Sequence, residues 1–78
     1  MVNLSNVLSD MVKAIVDNPD AVAVTESEVN GETVLELTVA PDDMGKVIGK
    51  HGRIARALRM LMKAAATSVD RKVSVKIK

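Results

Sequence analysis

Asn30-Gly31 lies between two runs of alternating apolar residues and fixes more of the fold than any other stretch of this 78-residue chain. The tight turn that joins antiparallel strands needs positive φ at both central positions, which Asn and Gly tolerate. A two-residue loop places Val29 opposite Glu32, Val24 opposite Leu37 and Val22 opposite Val39, so the apolar residues of both strands meet on one face. Glu26, opposite Leu35, breaks the pattern near the tip, where the strands are expected to have left the core.

The segments on either side read as helices and one more strand. Leu4, Val7, Leu8, Met11, Val12, Ile15 and Val16 recur at helical spacing, and Asn18-Pro19 supplies a stop because the residue before proline avoids helical dihedrals. Pro41-Asp42-Asp43 opens a short helix over Met44 to Ile48, with Asp as its cap. A longer helix runs from Arg53 to about Ser68. A last strand follows, with Val73, Val75 and Ile77 on one face and Lys72, Ser74, Lys76 and Lys78 on the other. The order is αββααβ, an α+β fold. Three strands cannot bury an apolar face alone, so three helices are expected on one side of a three-stranded mixed sheet. The expectation is a single domain over residues 1–78, and a domain this short buries only about 60% of its unfolded surface, which makes association with a second chain physically reasonable.

Charge divides the chain in two. Residues 1–43 carry nine acids and one base, net −8, whereas residues 44–78 carry ten bases and one acid, net +9. The basic half holds Gly49-Lys50-His51-Gly52, two glycines bracketing a Lys and a His at the start of the long helix. Glycines at both ends let the backbone take positive φ and approach a ligand, and the first turn of the helix offers unpaired N–H groups to an anion. The ligand this implies is a polyphosphate or a nucleic-acid backbone.

Other chemistries fail on spacing. Gly45 and Gly49 are separated by three residues and His51 follows Lys50, whereas a nucleotide-hydrolysing phosphate loop needs four residues and then Ser or Thr. His51 is the sole histidine, there is no Cys, and no carboxylates cluster at ligand spacing, the Asp42-Asp43 pair reading more simply as a helix cap, so neither a metal site nor an oriented general base is read. The chain is read as a non-enzyme with no cofactor and no small-molecule substrate. With no targeting or membrane-spanning segment in view, it is expected to be soluble and cytoplasmic.

Val47-Ile48-Gly49-Lys50-His51-Gly52, set between two helices after a hairpin and before a closing strand, resembles the I-G-x-x-G signature of KH domains in the type II arrangement. The run from Gly45 to Ala55 is similar to that of the small bacterial KH-domain RNA-binding proteins of the KhpA-like family. The resemblance implies that the GxxG loop holds the backbone of single-stranded RNA while about four bases lie in a narrow groove lined by apolar side chains and backbone groups. It places the RNA contacts at Gly49, Lys50, His51, Gly52, Arg53, Lys46, Ile48 and Arg56. The absence of Phe, Tyr and Trp suits such a groove and excludes folds that bind RNA by aromatic stacking. One position departs from the family: many KH domains carry a large aliphatic residue three positions after the second glycine, whereas here Ala55 follows the bulky Ile54, so packing under the loop is expected to differ.

Along the long helix, Arg53, Arg56, Arg59 and Lys63 fall within an arc of about 120°, opposite a core side assigned to Ile54, Leu58, Leu61 and Ala65. Met60 projects into the basic arc and Met62 lies at the edge of the core. Apolar residues thus nearly encircle this helix, which supports a second reading as a protein-interaction module. The family resemblance adds a homodimer, or a heterodimer with a larger KH-containing RNA-binding protein, and a role as post-transcriptional regulator or RNA chaperone linked to cell shape and division.

Overall fold

The computed structural model describes residues 3–78; Met1 and Val2, part of the expected domain, lie outside the described residues. Helix α1 (Leu4–Lys13) is followed by a 3-10 turn, strands β1 (Ala23–Val29) and β2 (Glu32–Thr38), a second 3-10 turn, helices α2 (Met44–Ile48) and α3 (Arg53–Ser68), and strand β3 (Val73–Ile77). The sheet order is β1-β2-β3, antiparallel between β1 and β2 and parallel between β2 and β3, so the sheet is mixed.

The hairpin has the register expected of a two-residue loop: Val29 pairs with Glu32, Glu26 with Leu35 and Val24 with Leu37. Asn30 and Gly31 both have positive φ, at 52° and 80°. The pair Val22 and Val39 falls just beyond the ladder, which starts at Ala23 and Thr38, yet both side chains still pack on the core. Glu26 is solvated because β1 is an edge strand, exposed along its length except at Val24. The central strand β2 supplies fully buried Leu35 and Leu37, each contributing roughly 2–3 kcal/mol by removal from water.

Helix α1 buries Leu4, Leu8 and Val12 and is capped by the Asn3 side chain, which accepts the Asn6 N–H at 3.2 Å. It ends at Lys13, several residues before the proline. Helical spacing no longer governs there, so Ile15, expected on the stripe, turns to solvent.

The core face of α3 is a correction to the sequence reading. The buried residues are Ala55, Leu58, Met62 and Ala66, whereas Leu61 is 55% exposed and Ile54 is also solvated. The helix is thus turned by about 75° from the orientation that its largest apolar side chains imply. Ala55 and Ala66 lack bulk, so the helix backbone settles close to the layer beneath and Met62 fills the space between them. At its C-terminus the Arg71 N–H bonds the Ala66 carbonyl at 2.8 Å and the Asp70 N–H bonds that of Thr67 at 3.1 Å, with Asp70 at φ 57°. This Schellman closure turns the chain sharply, so β3 runs antiparallel to α3 and returns towards the glycine loop.

Candidate nucleic-acid interface

Helix α2 ends where the Gly49 N–H bonds the Gly45 carbonyl at 2.8 Å, and the chain then reverses through a 3-10 turn over Lys50–Gly52. Gly49 has φ 73° and ψ 174°, a region in practice reserved for glycine. His51 (φ 58°) and Gly52 (φ 73°) are left-handed, the former a conformation His tolerates better than most residues. The two glycines do different work. A Cβ on Gly49 would lie 2.4 Å from Ile54 Cγ1 and 3.0 Å from the Ile54 backbone N, whereas one on Gly52 would meet nothing within 4 Å. Ile54 therefore closes the inner side of the loop, and the space over Gly52 is open. Ala55, the residue after Ile54, is buried.

Of the expected contact residues, Ile48, Lys50, His51, Arg53 and Arg56 are exposed, and Gly49 and Gly52 are partly accessible. Lys46 is exposed but engaged, because its ammonium forms an ion pair with Asp17. The hydrogen bond to Asp17 holds the Lys46 pKa above the ordinary lysine value; partial burial opposes this, and the charges of Asp17 and Asp43 add to it. Arg59 leans away from the basic arc and donates from Nε to the Val75 carbonyl at 3.4 Å. Strand β3 is an edge: Lys72 and Lys78 bond β2, so the intervening Val73, Val75 and Ile77 turn their N–H and C=O groups outward beside α3. The outer edge of β3 thus runs alongside α3, and Arg59 ties the two together.

Asp43, expected to cap α2, makes no cap bond there. Its carboxylate is 1% exposed and instead accepts the backbone N–H groups of Asp17 (3.1 Å) and Asn18 (2.9 Å) and the Asn18 Nδ2 (3.0 Å). The turn after α1 is thereby clasped to the base of α2, the helix that presents the loop. Burial alone would raise the Asp43 pKa, but the Asn18 side chain, the two backbone donors and Lys46 outweigh it and hold it below the usual aspartate value. Glu36 is also lowered, first by its hydrogen bond from Lys78 and then by that charge. A carboxylate depressed in the folded state stabilises fully above its unfolded pKa, near 4, and that contribution is lost as pH falls through the folded value. Thermal melts should accordingly stay level on this account from pH 7 to about 5 and decline below about pH 4. An Asp43→Asn variant should melt several degrees lower at neutral pH, because an amide cannot accept from all three donors, and should lose part of the acid dependence; a melt matching that of the parent would show the clasp to be dispensable.

Among the described residues there is no cluster of three potential metal ligands and no helix long and apolar enough to cross a membrane. A family model described as "KhpA/KhpB, KH domain" matches residues 5–77. The chain belongs to the KhpA/KhpB KH-domain family. Two relatives, each called RNA-binding protein KhpA, are 51% identical over 74 residues (Caldanaerobacter subterraneus) and 53% identical over 76 residues (Clostridium acetobutylicum). Each alignment covers 95% of this chain and 99% of the relative. Among solved structures, Era in complex with MgGDPNP and nucleotides of 16S ribosomal RNA aligns over 95% of this KH domain with a TM-score of 0.67 and 15% identity. The KH domain spans 28% of that Era chain, and at this identity the likeness establishes the fold alone. The family is one of KH domains and not of enzymes.

Proposed function

We propose that this KH domain binds single-stranded RNA, gripping the phosphate backbone at Gly49–Gly52 and laying bases along the outer edge of β3. The observation that carries the reading is the open space over Gly52, flanked by exposed Lys50, His51 and Arg53, in a chain whose relatives carry RNA-binding names. Main-chain amides of the loop approach the phosphates closely, and Arg53 and Arg56 neutralise charge along the strand. Ile48 offers an apolar wall, and the edge groups of Val73 and Ile77 together with the Val75 N–H offer donors and acceptors to base edges. Lys46 joins the contact only where a phosphate draws it from Asp17. A titration comparing a labelled single-stranded RNA with a duplex of the same sequence tests this: single-strand preference, weakening steeply with salt, is expected, and equal or absent binding overturns it.

A second surface supports action as a dimer or with a larger KH-containing partner. Met60 is 67% exposed next to the solvated Leu61, a paired apolar patch on α3. The role of post-transcriptional regulator or RNA chaperone in the cytoplasm, linked to cell shape and division, rests on the same two surfaces working together. As a pure interaction module, by contrast, the chain would show a concentration-dependent mass and no affinity for RNA.

A further inference from the structure

At the far end of α3 from the glycine loop lies a cavity of ≈ 270 Å³ lined by Glu32, Lys63, Thr67, Arg71, Lys72 and Val73. Three cations face one carboxylate there, and among the described residues none of the three cations is in an ion pair; the two pairs found are Lys46 with Asp17 and Lys78 with Glu36. The site is also braced. An Arg71 terminal nitrogen donates to the buried Thr33 hydroxyl at 2.5 Å, which fixes the guanidinium while leaving further N–H donors free. Anions are usually disfavoured at a helix C-terminus, but the Ala66 and Thr67 carbonyls are already occupied by the N–H groups of Arg71 and Asp70.

Position gives this cavity its meaning. Lys63 and Thr67 lie about 15 and 21 Å along the helix axis from Arg53, on the same arc as Arg53 and Arg56. Because β3 runs antiparallel to α3, its outer edge, bonded at its midpoint by Arg59, runs between the two ends. A strand that leaves the loop along that edge arrives over the cavity.

We propose that Lys63, Arg71 and Lys72 form a second phosphate site, which takes the backbone of an RNA strand after it has filled the groove that starts at Gly49–Gly52. The proposal rests on the RNA-binding reading and adds to it a minimum strand length. A KH groove holds about four nucleotides, so a four-nucleotide RNA ends short of the site, whereas a ten-nucleotide RNA spans it.

The experiment titrates both RNAs against the native protein and a Lys63→Gln/Lys72→Gln variant. Arg71 is left intact because it bonds Thr33. Both lysines are exposed, so the variant should melt like the parent. The expected result is a tighter native complex with the ten-nucleotide RNA. The variant should weaken that complex about tenfold and lower its salt-dependence slope by about 1.4, while leaving the four-nucleotide RNA unaffected. Equal affinity of variant and parent for the longer RNA, or a proportional loss for both lengths, overturns the second site and leaves the loop reading standing. If the native protein binds neither RNA, both readings fall together.

Discussion

Gly49→Ala is expected to lower the melting temperature by roughly 10–20 °C, the largest stability effect at any loop position. Two costs act together. The dihedrals φ 73° and ψ 174° strain any residue with a Cβ by about 1–3 kcal/mol. The new methyl would also lie 2.4 Å from Ile54 Cγ1, 2.9 Å from its Cβ and 3.0 Å from its backbone N, so moving a side chain is not enough and the first turn of α3 must shift. Gly52→Ala provides the internal comparison. It shares the positive φ but meets no neighbour, so its cost is about 1 kcal/mol, or some 4–8 °C. Thermal melts of the two variants by circular dichroism check the difference; if Gly49→Ala melts within two or three degrees of Gly52→Ala, Ile54 does not pin the loop. The pattern G-x-x-G therefore joins two unlike requirements. One glycine is demanded by the protein's own packing, and the other leaves room for something outside it.

Features set by neighbours in sequence were legible, and features set by distant neighbours were not. The hairpin register followed from Asn30-Gly31, because turn geometry and alternation are both local. The glycine loop and the limits of α3 followed for the same reason. The face of α3 did not, since bulk pointed to Leu61 while the small Ala55 and Ala66 determine which side can approach the sheet. Asp43 was misread for a related cause: an Asp before a short helix suits a cap, but its partners at Asp17 and Asn18 lie about 25 residues earlier. Lys46 lies on α2 just ahead of the loop, and nothing in its surroundings in sequence indicates the ion pair with Asp17. The far cavity was missed as well. In sequence its cations are scattered through the basic half, and only the reversal after Ser68 brings Lys63 together with Arg71 and Lys72.

Joint replacement of Lys50 and His51 by Asp is expected to weaken single-stranded RNA binding about a hundredfold with no change in melting temperature. The two substitutions remove one positive charge and add two negative ones beside the phosphates. At contact distance in water each unit is worth about 1 kcal/mol, so the three together approach 3 kcal/mol. The fold should be spared, because both side chains are exposed and Asp is among the residues that accept the left-handed conformation at position 51. Here RNA length separates the two sites. Loss at the loop should weaken four- and ten-nucleotide strands alike, since both must start there, whereas loss at Lys63 and Lys72 should affect only the longer one. A loop variant that keeps native affinity for both lengths, with its melt intact, would mean that RNA is held elsewhere on the domain and that the open space over Gly52 has no ligand to admit.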